Sequence, residues 1–299
     1  MTGHLLCVGL GYCAAALASR LHSQGWRVSG SSRSGEGTSR IRALGYAGVE
    51  IGSGNEGGLD AALGEATHLL VSAPPEADGD PLLRHHRQAI AASRSLVWIG
   101  YLSTIGVYGD RQGGWVDEDS EPHPGQERSR RRLQVEGEWL RLGRESGKRV
   151  QIFRIAGIYG PGRNQLESLL EGSARRLVKP GQVFNRIHVE DIAASLAAAI
   201  GRGGAGRIYN LSDDGPAPPD EVLVYAAGLL GLPAPEPIPY DAALLSPMAA
   251  SFYAENRRVS NRRLHEELGV TLTYPTYREG LSALAASLLA SRSTAGTGA

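Results

Sequence analysis

His4-Leu5-Leu6-Cys7-Val8-Gly9-Leu10-Gly11-Tyr12-Cys13-Ala14 opens the chain and decides how the rest of it is read. The apolar run His4–Gly9 reads as a short strand. A glycine-rich turn follows, and Ala14–Leu21 has the Ala/Leu-rich composition of a helix packed on a sheet. Within the turn, Gly9-x-Gly11-x-x-Ala14 fits the GxGxxA pattern of a dinucleotide-binding βαβ unit. Gly9 permits a tight turn, Gly11 lets backbone approach a pyrophosphate, and the small Ala14 lets the helix pack on the strand. The helix N-terminus then offers free N–H groups and a partial positive charge to phosphates. Gly9, Leu10, Gly11, Tyr12 and Cys13 are therefore the expected cofactor contacts.

Outward from this unit, Arg27–Ser31, His68–Ala73, Leu96–Thr104 and Arg149–Ile155 read as strands. Pro81–Ser95 and Gln126–Ser146 read as helices between them. That alternation implies a parallel sheet with helices on both faces. After Gly160, glycine and proline increase. Helices are expected at Asp191–Ile200, Asp220–Leu230, Arg262–Leu268 and Tyr277–Leu289, with a strand at Arg207–Leu211 and a Pro-rich loop at Leu232–Pro247. The expected fold is α/β, a Rossmann-type doubly wound parallel sheet with a small C-terminal substrate lobe. Residues 1–160 would form the dinucleotide domain, with 182–215 returning to it. Residues 161–181 and 216–290 would form the lobe, and 291–299 a disordered tail.

The 31 Lys and Arg residues equal the 31 Asp and Glu residues. A balanced charge speaks against a general nucleic-acid binder, which needs surplus cations. No apolar run reaches the roughly 18–20 residues needed to span a bilayer. The expectation is a cytoplasmic protein with a small-molecule substrate and neither a nucleic-acid nor a membrane partner. Cys7 and Cys13 are the only cysteines and have no His cluster at ligand spacing, so no metal site is expected.

The second strand ends Val28-Ser29-Gly30-Ser31-Ser32-Arg33, with no acid. An NAD site places Asp or Glu there for the ribose 2′-OH. Arg33 and the hydroxyls of Ser31 and Ser32 suit a 2′-phosphate instead. A hydrogen bond to a charged group contributes about 1.5–3 kcal/mol, roughly a tenfold to hundredfold preference. NADP is favoured and NAD is left open, because Arg33 also reads as a solvated loop charge. Ser72, Ala73 and Pro74 follow a strand, where ligands of open α/β sheets bind, and are expected to line the cofactor.

With these features in place, the chain resembles the extended short-chain dehydrogenases/reductases of the NAD-dependent epimerase/dehydratase group. The resemblance rests on the Gly9–Ala14 turn, on Leu102-Ser103-Thr104-Ile105-Gly106-Val107-Tyr108-Gly109, on Arg154-Ile155-Ala156-Gly157-Ile158-Tyr159-Gly160-Pro161-Gly162, and on His188-Val189-Glu190-Asp191. It implies that Thr104 polarises the reacting oxygen. It places Ser103 and Tyr159 on the cofactor side and His188 on the substrate side, with Tyr253 and Arg257 closing the pocket. A homodimer through Pro81–Ser95 and Gln126–Ser146 is implied too. Ile105-Gly106 stand where the family's dehydratases carry Asp-Glu, so a sugar-nucleotide dehydratase is not expected.

One departure is larger. The family's Tyr-x-x-x-Lys aligns with Arg128 and Arg132, and no tyrosine lies between Tyr108 and Tyr159. Arginine does not donate a proton, its pKa being above about 12, though its planar fork grips anions. General acid–base catalysis contributes about 10²–10⁴ in rate. Members lacking the dyad form an atypical group, which this chain resembles. Two readings stay open: an NADP-dependent oxidoreductase or epimerase-like enzyme acting on a small polar or nucleotide-linked substrate, and a non-catalytic NADP-binding sensor. Arg128–Arg132 is either a solvated helix face balanced by Glu127, Glu136 and Glu138, or a source of cations for the cleft. Tyr159 and His188 are candidates for the missing proton transfer, with Tyr101, His123 and Tyr253 looser ones. For each a structural role is favoured, Tyr159 packing its ring near the nicotinamide end and His188 positioning the helix behind it.

Overall fold

The computed structural model describes residues 2–51 and 56–296. The tail expected at 291–299 lies outside the described residues in its side chains, and from 297 in its backbone as well.

The chain runs β1 (His4–Val8), α1 (Tyr12–Ser23), β2 (Arg27–Ser32), α2 (Gly35–Ala43), β3 (Ala47–Glu50), α3 (Glu56–Glu65), β4 (His68–Val71), α4 (Pro81–Ala92), β5 (Trp98–Thr104), β6 (Trp115–Val116), α5 (Glu127–Ser146) and β7 (Arg149–Ile155). It continues through β8 (Gly157–Tyr159), α6 (Gln165–Leu170), β9 (Arg176–Val178), β10 (Arg186–His188), α7 (Val189–Gly201), β11 (Arg207–Leu211), α8 (Pro219–Leu229), β12 (Pro237–Pro239), α9 (Pro247–Tyr253), β13 (Arg258–Val259), α10 (Arg262–Leu268) and α11 (Tyr277–Gly296).

Seven parallel strands form the central sheet in the order β11-β7-β5-β4-β1-β2-β3. The chain steps outward from β1 to β3, then returns to lay β4 on the other side of β1. At such a reversal a crevice opens beyond the carboxyl ends of the two central strands. Val8 stands beside Val71, and the N–H groups of Ser72 and Ala73 both donate to the Val8 carbonyl, at 3.0 and 3.1 Å. The Gly9 turn and the Ser72–Pro74 segment therefore leave the sheet side by side.

β1 is buried along its whole length. Leu5 and Cys7 face a core shared with Ala14, Leu17 and Leu21 of α1 and Ile192 and Leu196 of α7. Leu6 and Val8 face the opposite core, with Leu63 of α3, Leu83 of α4 and Val135, Trp139 and Leu142 of α5. A strand covered on both faces reads as an unbroken apolar run. Each fully buried Leu contributes about 1.5–3 kcal/mol. A third cluster, including Tyr159, Leu166, Val222, Tyr277 and Leu281, forms the centre of the C-terminal lobe.

Two regions differ from the sequence reading. Between β2 and β4 the chain adds α2, β3 and α3. β3 is a four-residue edge strand whose Gly48 lies against Thr38, a Cβ there falling 2.7 Å from the Thr38 methyl. The Leu232–Pro247 stretch, expected as loop, contains β12, which pairs with β9, and a 3₁₀ turn at Ala242–Leu244. No helix among the described residues is long and apolar enough to cross a membrane.

Candidate functional site

The Gly9–Ala14 turn is built by two glycines with different duties. Gly9 has φ +84°, and a Cβ on it would lie 3.0 Å from the Ala73 nitrogen. An L-residue there pays about 1–2 kcal/mol in the left-handed region. Gly11 is the N-cap of α1 and has no side-chain cap. Nothing lies within 4 Å of where its Cβ would stand, so the approach to the turn on that side is open. The first turn of α1 holds no acid. Leu10 packs inward on Gly30, and the Cys13 thiol is buried and pushed up to about 11, which leaves these two residues their backbone to offer. Tyr12 is half-buried and donates its hydroxyl to the Pro161 carbonyl at 2.7 Å.

The hydroxyls after β2 are not equivalent. Ser31 is buried and accepts the Gly9 N–H at 3.1 Å. It fastens the turn, which corrects the expectation that it faces a 2′-phosphate. Ser32 is half-buried and accepts from the Ser34 N–H at 3.4 Å. Arg33 is exposed and makes no hydrogen bond or ion pair among the described residues. Across the crevice, Ser72 and Ala73 are half-buried and Pro74 is exposed.

Beyond β5, Thr104 accepts the Gly106 N–H at 3.1 Å and caps the 3₁₀ turn Ile105–Tyr108. Its own proton is left to donate. Ser103, expected on the cofactor side, points the other way along the strand. It is buried and donates to Glu136 of α5 at 2.5 Å, and Glu136 pairs with buried Arg154 at 2.8 Å. The Arg154 guanidinium covers the Tyr108 ring at 4.9 Å, and Tyr108 donates to Asn210 at 2.7 Å. Ser103 thus belongs to a buried polar network instead of the cofactor surface.

The arginine run divides. Arg130 and Arg131 both pair with Glu127 at 3.1 Å on the solvent side. Arg128 reaches the lobe, donating to Ser251 at 3.0 Å with its guanidinium 4.8 Å from the Phe252 ring. Arg132 donates to the Leu102 carbonyl, its guanidinium 5.9 Å from the Tyr101 ring. Tyr101 itself is fully buried against Trp139. His123 lies on the surface, 3.8 Å from Glu121.

Tyr159 and His188 take packing roles, and His188 positions the helix behind it as expected. Tyr159 is buried in the lobe core and points its hydroxyl at the Thr276 carbonyl, 3.4 Å away. His188 is wedged between Tyr159 and Tyr274, with ring centroids 5.1 and 4.1 Å away. Its Nδ1 accepts the Glu190 N–H at 3.2 Å and caps α7. Burial holds the imidazole down at about 4, so it is neutral and structural. The two rings pack on each other, and His188 also packs on Tyr274.

On the lobe side, Tyr253 packs between Phe184 and Tyr240, each at 5.1 Å. Arg257 forks onto Glu255 at 2.7 and 2.8 Å and also donates to the Gly109 carbonyl. The other Glu255 oxygen, Oε1, is buried without a hydrogen-bond partner among the described residues, as is Gln182 Oε1. Gln182 donates to the Glu255 carbonyl at 2.9 Å. Glu255 Oε1 lies 3.0 Å from where a Cβ on Gly125 would stand, next to the N-cap of α5. Sequence reasoning missed this pair. The available signal was Glu255-x-Arg257, since extended backbone places alternate residues on one side.

No family model matches the chain. A conserved protein of unknown function from Silicibacter pomeroyi has a solved structure that is 47% identical, with a TM-score of 0.87 over 96% of this chain and 99% of that one. Protein YeeZ of Escherichia coli is 28% identical over 281 residues, 90% of this chain and 95% of its own length. A structure from Methylobacillus flagellatus, provisionally described as an NAD-dependent epimerase/dehydratase, is 25% identical with a TM-score of 0.74 over 96% of this chain and 99% of that one. Over nearly its whole length the chain is thus similar to a conserved protein of unknown function and to a structure described as an NAD-dependent epimerase/dehydratase. In this chain, α5 carries neither tyrosine nor lysine anywhere between Glu127 and Ser146. Arginines supply the only side-chain cations of that helix.

Proposed function

We propose that the chain is an atypical extended short-chain dehydrogenase, an oxidoreductase or epimerase-like enzyme that binds NADP and acts on a small polar or nucleotide-linked substrate. The observation that carries this reading is the open approach to Gly11 at the sheet's reversal point, beside a Gly9 locked against Ala73. Backbone at residues 10–13 would hold the pyrophosphate, and Ser72–Pro74 would line the dinucleotide. Arg33, exposed and unpaired among the described residues, would take the 2′-phosphate. The NAD-dependent description of the Methylobacillus structure supports a nicotinamide cofactor in this chain.

A nicotinamide held at this turn would supply hydride chemistry. The protein's part is to hold a substrate oxygen at Thr104, whose hydroxyl proton is free to donate. Glu255 Oε1 and Gln182 Oε1 are buried acceptors that call for donors. An unsatisfied buried polar atom costs about 1–3 kcal/mol, which a substrate hydroxyl or amine would relieve. Arg257 offsets the Glu255 charge, so the pair accepts hydrogen bonds without repelling a neutral ligand.

A second reading, an NADP sensor without turnover, is favoured by α5, where Arg132 is spent on the Leu102 carbonyl and no side chain replaces the tyrosine proton. One assay separates the two. NADPH consumption is followed against a panel of polar aldehydes, ketones and nucleotide sugars, with the wild type beside Thr104→Ala. Turnover lost in Thr104→Ala supports the enzyme. NADPH binding with no turnover and no response to Thr104→Ala supports the sensor.

A further inference from the structure

Gly160-Pro161-Gly162-Arg163 forms a closed turn after β8. Gly160 and Arg163 exchange backbone hydrogen bonds at 3.0 and 3.1 Å. Both glycines have positive φ, +155° and +72°, so the turn has little freedom to admit other residues there. Two side chains hold it from opposite sides. Tyr12 donates to the Pro161 carbonyl at 2.7 Å, and Glu167 accepts the Gly162 N–H at 2.9 Å. A Cβ on Gly160 would stand 2.6 Å from the Tyr12 hydroxyl oxygen, so the turn lies directly against the first residue of α1.

Arg163 leaves this turn with an exposed side chain and no hydrogen bond or ion pair from that side chain among the described residues. It does not pair with Glu167, although Glu167 accepts from both Gly162 and Asn164 of the same segment. Arg163 closes the turn that Tyr12 anchors, two residues on from the Pro161 carbonyl that accepts the Tyr12 hydroxyl, so its side chain leaves the backbone beside the start of α1. The Gly9–Ala14 turn contains no cation of its own.

Resting on the cofactor reading above, we infer that Arg163 is the cation that pairs with the cofactor pyrophosphate, brought to it by the turn that Tyr12 anchors. A dinucleotide pyrophosphate carries two negative charges, while a helix N-terminus offers only about half a positive charge. A guanidinium fork matches two phosphate oxygens at once. The role differs from that of Arg33, which would act only on the 2′-phosphate and so only on NADP.

The test measures Kd for NADPH, NADH and adenosine 2′-monophosphate on the full chain, comparing the wild type with Arg163→Ala and Arg163→Lys. Arg163→Ala is expected to weaken NADPH and NADH alike by about tenfold to hundredfold, and Arg163→Lys by less. Adenosine 2′-monophosphate lacks the pyrophosphate and should bind all three proteins equally. The melting temperature without ligand should not change, since the side chain makes no hydrogen bond or ion pair among the described residues. If the wild type binds both dinucleotides and Arg163→Ala binds them within twofold, the assignment of Arg163 fails while the cofactor reading stands. An equal loss for adenosine 2′-monophosphate would also overturn it, by moving the cation to the other phosphate. If the wild type binds neither dinucleotide, the cofactor reading falls and Arg163 with it.

Discussion

The Tyr12 hydroxyl donates to the Pro161 carbonyl at 2.7 Å, joining residues 149 positions apart in sequence. This single bond ties the first residue of α1, where a dinucleotide pyrophosphate would sit, to the turn that leads into the lobe. Tyr12→Phe keeps the ring and removes the bond. A net hydrogen bond is worth about 0.5–1.5 kcal/mol, so dinucleotide affinity should fall roughly twofold to tenfold. Isothermal titration measures it, and an unchanged affinity would show that the tie has no part in binding.

The two turn glycines should respond in opposite ways. Gly9→Ala forces a left-handed residue against the Ala73 backbone and should lower the melting temperature by several degrees, at about 2–4 °C per kcal/mol for a chain of this size. Gly11→Ala has room for its methyl and an ordinary φ of −84°. It should keep the apo stability within about 1 kcal/mol yet remove the thermal shift produced by NADPH. Equal behaviour of the two variants would contradict the assignment of Gly11 to ligand space.

The Glu136–Arg154 pair is buried on both sides and also holds Ser103. Removing one partner leaves the other charge buried and unpaired, at about 3–5 kcal/mol. Arg154→Met should therefore unfold at markedly lower denaturant, and pairing it with Glu136→Leu should recover part of the loss. A double variant less stable than the single would mean that the network is worth more than its desolvation.

Burial holds His188 at about 4, against an ordinary 6.5. Between those values the unfolded chain binds a proton that the folded chain excludes. Stability is thus complete above pH 6.5 and falls as pH drops towards 4. His68, also lowered to about 4 by burial, and His4, lowered likewise, act in the same direction. Each unit is worth about 1.36 kcal/mol, so the part of the stability due to His188, read from urea titrations from pH 7 to 4 as the difference between the wild type and a His188 variant, should decline by a few kcal/mol. Asp213, pushed up to about 8 by burial, acts in the opposite direction in both proteins. His188→Asn keeps a capping acceptor for α7 and should lack that part of the decline. A parallel decline in the variant would place the acid sensitivity elsewhere.

The parts of this molecule legible in sequence are those written by burial. β1 and the α1 stripe could be read because each face of the sheet is covered. Arg262–Leu268 emerged as α10 with the expected ends. β3 could not be read, since an exposed four-residue edge strand with Gly48 shows no apolar pattern. The site shows the same division. The glycine turn is local, so its spacing reveals it. Tyr159 is fixed by Gly280, whose missing Cβ lets the ring edge lie 2.6 Å from that position, a contact between distant segments that carries no sequence signal. Which of Ser31 and Ser32 faces the turn depends on strand alternation, and the buried one is spent on Gly9.

Cofactor choice turns on the end of β2. Glu50 stands beside Ser32 in register, with its carboxylate 3.5 Å from where a Cβ on Gly35 would be. Its charge would oppose a 2′-phosphate there, and Glu50→Gln should raise NADPH affinity several-fold without altering NADH. An equal gain for both dinucleotides would mean that Glu50 acts on the cofactor as a whole.

The most direct measurement is a calorimetric titration of the full chain with NADPH and with NADH in one buffer, repeated with Arg33→Ala. The expected result is that both bind, that NADPH binds about tenfold to hundredfold more tightly, and that Arg33→Ala removes the difference while leaving NADH unchanged. Binding of neither dinucleotide would contradict the assignment of the Gly9–Gly11 turn. Tighter binding of NADH would contradict the NADP reading.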